Sequence, residues 1–283
     1  MTLVVHKRTI ISRQALKKIV SSFFQAFGVI ALVLGILDVL FPNKLNFGYV
    51  GIIVVSVASL LWGIISILKR KISHPLSRLN TKITIKVGDL FQEDANNLVI
   101  GMNDVFDTEK GDIIKLTSIQ GQFLTRIYGD DKNRLDQDID KALQGISGNQ
   151  DSQKTRGKNQ RYPIGTVATL SVGAKKYFCS AYSRMGNNLQ AQSNIKWLST
   201  SLQMLWEEIG VKGQNDKVAM AVLGSDLARI GNASYSDLIK LIVFSFVLAS
   251  REKLVTPELI IVINQKNLEK VNMLELDDFL RNF

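Results

Sequence analysis

The chain has 283 residues, 46% of them hydrophobic, a formal net charge of +10 and a single cysteine. Eleven basic residues and one acid, Asp38, precede Ile83, and 24 of each sign follow, so the whole excess charge lies at one end. Charge that brackets apolar runs argues against a nucleic-acid surface and for oriented membrane segments, and one cysteine excludes an intramolecular disulfide and argues against a thiolate metal cluster.

Residues 1–18 form a basic segment and residues 19–68 a helical hairpin. Its two apolar runs, Ile19–Phe41 and Phe47–Leu68, each reach about 33–35 Å as helices, enough for a hydrocarbon core of about 30 Å. Pro42-Asn43-Lys44-Leu45-Asn46 between them allows only an antiparallel turn. Lys7, Arg8, Arg13, Lys17 and Lys18 precede the first run, and Lys69, Arg70 and Lys71 follow the second. The positive-inside bias therefore predicts a multi-pass membrane protein with both termini cytoplasmic. The first run is too long for a signal-peptide core and lacks a small-x-small cleavage pattern, so retention is expected. Small and polar residues share one face of each helix: Gly28, Ala31, Gly35 and Asp38 on the first, Ser56, Ser59, Gly63 and Ser66 on the second. Such faces permit close backbone approach in lipid, either within the hairpin or with one face left for another copy. Two helices cannot enclose a pore, so any channel-like activity requires oligomers.

Residues 69–81 read as a basic linker and 82–283 as one domain. Lys82–Val87 alternates as a strand, and Leu98–Gly101 is a short buried one. Apolar spacing predicts a helix over Ile113–Tyr128. A polar stretch follows, with a short helix near Leu135–Leu143 and an exposed loop or lid over Ser147–Gln160. Strands are expected at Gly165–Val172, Lys176–Tyr182, Val218–Leu223 and Glu258–Ile263, helices at Gln192–Ile209 and Ser236–Glu252, and a helical tail at Asn267–Asn282. This alternation predicts an α/β/α domain with a mixed sheet behind a two-helix transmembrane hairpin.

Ligands of such sheets sit at the carboxyl ends of strands. Three loops there stand out: Gly88-Asp89-Leu90-Phe91, Gly101-Met102-Asn103-Asp104 through Thr108, and Gly224-Ser225-Asp226-Leu227-Ala228-Arg229-Ile230-Gly231. Glycines let the backbone approach a ligand, exposed amides before a helix favour an anion, and Arg229 adds a fixed charge. Each loop also reads as an ordinary turn. Both histidines, His6 and His74, precede residue 82, so the domain has no imidazole for catalysis or metal binding.

Taken in order, these loops resemble the macro domain, a fold that binds ADP-ribose. Gly88-Asp89-Leu90 looks like its adenine-contacting GD motif, Val99–Asn103 its second strand and asparagine loop, Pro163-Ile164-Gly165-Thr166-Val167-Ala168 its PxGxA turn, and Gly224–Gly231 its phosphate loop. The strings GDLF, VIGMNDVFDT, SIQGQF and LGSDLARIG, with the hairpin in front, are similar to the macro-domain effectors of Thoeris anti-phage defence (ThsA type). The resemblance implies a sensor; the alternatives are a membrane-tethered ADP-ribosyl hydrolase, with Asp89, Asn103 and Asp104 orienting a water, and a passive tether that recruits an ADP-ribosylated partner. A TIR-domain partner that consumes NAD would supply an ADP-ribose-type nucleotide, whose binding would drive homo-oligomerisation and disruption of the lipid bilayer. No metal, cofactor or nucleic acid is implied, and no catalytic residue. Carried over by position, Asp89 would accept from the adenine amino group beside the Leu90 amide. Asn103 and Asp104 would face the ribose or the group attached to it, Gly101, Met102 and Gly165 would also border the ligand, and the amides of Gly224, Ser225, Asp226 and Leu227 would cradle the diphosphate with Arg229 nearby. Ser118 and Gln120 would reach in from the preceding helix. Hydrolytic macro domains carry a glycine-rich run after the asparagine loop; here Gly111 stands alone in Asp104–Asp112, and Phe106 is expected to intrude on the distal ribose site.

Overall fold

The computed structural model describes residues 13–41, 48–225, 230 and 233–283. The hairpin turn at Pro42–Asn46 and the loop residues Asp226, Leu227 and Arg229 lie outside them. The described residues form two compact units: one runs through Ile72 and includes Leu268–Asn282, and the other comprises Ser73–Asn267 with Phe283.

In the first unit, α1 (Arg13–Leu40) and α2 (Gly48–Ile67) are long and apolar enough to cross a membrane. The small-residue face of α2 makes the contact between them. Ser59 and Gly63 are buried, a Cβ on Gly63 would stand 2.9 Å from the Ile19 carbonyl oxygen, and Ser66 Oγ lies 3.0 Å from Ser22 Oγ. The face of α1 behaves differently. Gly28, Ala31, Gly35 and Asp38 are exposed, and a Cβ on Gly28 or Gly35 would meet nothing within 4 Å.

The second unit is built on a mixed sheet ordered β1-β2-β10-β9-β3-β7-β6, with β8 paired to β7. Its strands are β1 (Lys71–Leu76), β2 (Thr81–Val87), β3 (Asn97–Asn103), β6 (Val167–Val172), β7 (Lys175–Met185), β8 (Ala191–Gln192), β9 (Val218–Ala221) and β10 (Glu258–Ile263). From β2 through β7 neighbouring strands are parallel, with Ile261 in register with both Ile85 and Met220. Strand β6 closes the far side antiparallel to β7. The central strands are buried almost without interruption, as a parallel sheet covered on both faces requires. Helices α3 (Ile119–Ile127) and α4 (Lys132–Ala142) send Phe123, Leu124, Leu135 and Ile139 into a core with Leu98, Ile100 and Cys179. Helices α5 (Ile195–Lys212) and α6 (Tyr235–Glu252) meet through Trp206 and Phe246, and Trp206 Nε1 donates to Ser245 Oγ at 3.0 Å. The α/β/α class expected from the alternation is the one observed.

Several boundaries move for local reasons. Helix α3 begins at Ile119 rather than Ile113 because Ser118 caps it, its Oγ accepting from Gly121 N; Ile113 and Ile114 are buried from a loop instead. The expected linker carries β1 and a 3-10 turn, Ser77–Leu79. The expected exposed lid forms a small antiparallel pair, β4 (Asn149–Gln150) and β5 (Gln160–Arg161), and buries Lys154 to 4% exposure. The tail divides into a 3-10 helix, Gln265–Lys270, and α7 (Met273–Leu280), started by Asn272, whose side chain accepts from Leu274 N and Glu275 N. Leu268–Asn282 groups with the hairpin rather than with the sheet.

Candidate functional site

Because β2, β3, β9 and β10 run parallel, their carboxyl ends open on one edge of the sheet. Two connected cavities lie there. The larger, 570 Å³, is lined by Gly88, Asp89 and Leu90 after β2, by Gln122 of α3, by Tyr235 at the start of α6, and by Val262, Asn264, Lys266 and Asn267 after β10. The smaller, 90 Å³, is lined by Gly101, Met102 and Asn103 of β3, Ser118 and Gln120, Tyr182 and Ser183 of β7, and Leu223, Gly224 and Ser225. Ile119, Ala221, Val222 and Ser225 border both, so they form one groove. Its size suits a ligand of nucleotide dimensions.

Asp89 stands at the rim of the larger cavity. Its carboxylate accepts from Phe91 N at 3.0 Å, starting a 3-10 turn, and from Arg126 Nη1 at 2.9 and 2.7 Å. The Arg126 guanidinium also lies 4.9 Å over the Phe91 ring, a cation–π placement. Arg126 had no signal in the sequence, since nothing in the spacing of α3 ties it to a loop 37 residues earlier. Leu90 is 2% exposed and packs into the core.

Gly101 fits where no side chain would: a Cβ there would lie 2.7 Å from Tyr182 and 2.8 Å from Leu223. Gly224 adopts φ +79, a left-handed conformation, and a Cβ would stand 2.4 Å from Ile230. Ser225 Oγ donates back to the Val222 carbonyl at 2.9 Å. The helix that follows satisfies its own first turn by a capping box: Ser234 Oγ accepts from Asp237 N, and Asp237 Oδ2 from Ser234 N. Hydrogen bonding from the Ser234 side chain, and then from its amide, holds the Asp237 carboxyl below its ordinary value.

Asn103 lines the inner cavity while its side chain braces its own loop, and Asp104 serves the loop alone. Asn103 Oδ1 accepts from Val105 N and Asp107 N, and its Nδ2 donates to Asp107 Oδ2. Asp104 is 1% exposed; it accepts from Arg161 Nη1 at 2.6 Å, Arg184 Nε at 3.3 Å and Met185 N at 3.0 Å. Asp104 borders neither cavity of the groove. Behind this loop the side chains of Asp107 and Lys154 are both 1% exposed, with Lys154 Nζ 3.5 Å from Asp107 Oδ2. Burial raises the Asp107 carboxyl, against the lowering influence of the Lys158 amide, Lys154 and Asn103. Gln120 donates to the Asp107 carbonyl, and Ser118 is spent on capping α3. Phe106 does not intrude on the groove: it packs into the core beside Tyr162, ring centroids 5.7 Å apart. Gly165, at φ +98, abuts Met204 of α5, where a Cβ would come within 2.9 Å; it too borders neither cavity.

A mixed sheet between helices, with a groove across the carboxyl ends of its parallel strands, defines a domain of the macro class. The fold is shared with solved Oceanobacillus iheyensis macrodomains: one with MES bound (TM-score 0.53, 11% identity, covering 75% of this chain and 98% of that one) and a mutant with ADPR (TM-score 0.53, 12% identity, 75% and 99%). Residues 83–264 match the model of the family "Thoeris protein ThsA, Macro domain", and the chain belongs to that family. A relative, the Thoeris protein ThsA of Bacillus amyloliquefaciens (strain Y2), is 28% identical over 209 residues, 71% of this chain and 69% of the relative.

Proposed function

We propose that this chain is a membrane-embedded effector of bacterial anti-phage defence, gated by an ADP-ribose-derived nucleotide. A TIR-domain partner would make the nucleotide from NAD. Its capture in the groove would drive copies together and breach the bilayer. The observation that carries the reading is the coexistence in one chain of a nucleotide-sized groove rimmed by Asp89 and a pair of helices apolar enough to span a membrane. Family membership and the macrodomain with ADPR support the ligand class. The concentration of positive charge outside the two apolar runs supports cytoplasmic termini.

Binding without turnover fits the groove's chemistry. Asn103 is occupied within its own loop, and Asp104 is locked between two arginines and an amide. Asp104 borders neither cavity, and the Asn103 side chain is already engaged by two amides and Asp107. The exposed stripe on α1 supports assembly between copies, because the α2 stripe already makes the hairpin contact.

The test is calorimetric titration of the detergent-solubilised full chain with ADP-ribose, followed by analysis of the recovered nucleotide. The reading predicts saturable binding and intact ADP-ribose. No binding, or conversion to products, would contradict it.

A further inference from the structure

The first unit holds a buried charge cluster that the binding groove does not use. Asp277 of α7 is 3% exposed. Its Oδ2 accepts from Lys69 Nζ at 2.8 Å, lies 4.0 Å from Lys18 Nζ and accepts from Arg281 Nη2 at 3.1 Å. Lys18 belongs to α1, and Lys69 follows the last turn of α2. One carboxylate oxygen is thus shared by cations from the base of each apolar helix. An apolar layer of Ala15, Ile67 and Leu274, flanked by Ile19 and Leu68, joins the same three elements. Further along the hairpin, Gly63 against Ile19 and Ser66 against Ser22 continue the contact.

Removing a buried carboxylate leaves its partners as uncompensated like charges. Two of those partners, Lys18 on α1 and Lys69 just past α2, stand at the bases of adjacent helices, so the carboxylate decides whether those bases attract or repel. The chain that supplies it leads directly from the groove: Asn264, Lys266 and Asn267 line the larger cavity, and the same stretch continues through Gln265–Lys270 into α7.

We propose that α7 is a clasp. In the nucleotide-free chain Asp277 holds the bases of α1 and α2 together, and a nucleotide that engages Asn264–Asn267 withdraws the clasp and frees the hairpin to repack. Contact with that stretch supplies the differential affinity that any such switch requires. The clasp rests on the gated-effector reading and assigns the output of the groove to its carboxyl-terminal strand. The basic segment before β1 then serves as a counter-charge rather than as the transmitter.

The experiment uses the full chain in phosphatidylcholine–phosphatidylglycerol vesicles, with Ser22→Cys and Ser66→Cys added as a reporter of the hairpin contact and ADP-ribose as the probe. The clasp predicts efficient disulfide formation without ADP-ribose and less with it. It predicts that Asp277→Ala loses the disulfide and releases trapped dye without ADP-ribose, while retaining ADP-ribose binding. Exchanging the charges (Asp277→Lys with Lys69→Asp) should restore both the disulfide and the nucleotide dependence, which a misfolded chain would not. An Asp277→Ala chain that cross-links and holds dye as the parent does would overturn the clasp, as would failure of the exchange to restore. If the parent releases no dye with ADP-ribose, the gated-effector reading fails, and disulfide yield in Asp277→Ala still decides whether Asp277 holds the hairpin.

Discussion

Both carboxylate oxygens of Asp89 face a single nitrogen of Arg126, at 2.9 and 2.7 Å, on the rim of the groove. A ligand amino group seeking Asp89 must share that carboxylate or displace the arginine. Each side chain is about a third exposed, so the pair contributes at most about 1 kcal/mol. Arg126→Ala should therefore tighten ADP-ribose binding by up to about fivefold, whereas Asp89→Ala should weaken it by about 1–3 kcal/mol through loss of a charge-assisted bond. Calorimetric titration of both variants checks the pair. Weaker binding by Arg126→Ala would make the arginine a ligand contact, and unchanged binding by Asp89→Ala would reduce the aspartate to a turn former.

Gly101 separates a packing role from a binding one. A Cβ there would press on Tyr182 and Leu223, and overpacking of this kind costs about 1–3 kcal/mol. Gly101→Ala should lower the unfolding midpoint of the full chain and narrow the inner cavity. An unchanged midpoint in a thermal scan would mean that Tyr182 and Leu223 move aside freely.

The two glycine positions in the hairpin should diverge. Gly63→Leu places its side chain against the Ile19 backbone and should abolish a Ser22→Cys/Ser66→Cys cross-link. Gly35→Leu projects into open space and should leave that cross-link intact while reducing assembly between copies. Native gels of the detergent-solubilised variants, with and without ADP-ribose, read the second effect; equal assembly by Gly35→Leu and the parent would remove the α1 stripe from the oligomer interface.

The Asp107–Lys154 pair ties the polar stretch 147–160 to the loop after β3. Lys154→Met leaves a buried carboxylate unpaired and should cost about 3–5 kcal/mol, measured by chemical denaturation. Because burial raises the Asp107 carboxyl above its ordinary 3.8, the folded chain holds that proton more tightly than the unfolded one. Its contribution to stability is complete below 3.8 and declines as pH rises through the folded value. The Asp107→Asn chain should therefore gain stability relative to the parent as pH rises from about 4 to 7. A stability difference that does not change with pH would place the carboxyl at its ordinary value.

The sequence disclosed what periodicity and charge control. Alternating and continuous apolar runs located β2, β3, β9 and β10 within a few residues, and these strands position Asp89, Gly101 and Gly224. It also separated the two apolar helices from the neutral remainder. It did not disclose what depends on long-range pairing. Asp104 looks like a groove residue by its place after Asn103, yet Arg161 and Arg184 draw it away. Lys154 sits in a polar stretch without apolar periodicity, and only its pairing with Asp107 buries it. Leu268–Asn282 reads as a domain tail, but Asp277 ties it to the hairpin through cations more than two hundred residues earlier.

The most direct test of a nucleotide-gated hairpin is dye release from vesicles carrying the full chain, titrated with ADP-ribose. The account predicts release that rises with ADP-ribose and is shifted to higher concentration by Asp89→Ala. Release that is equal with and without ADP-ribose in the parent chain would contradict it.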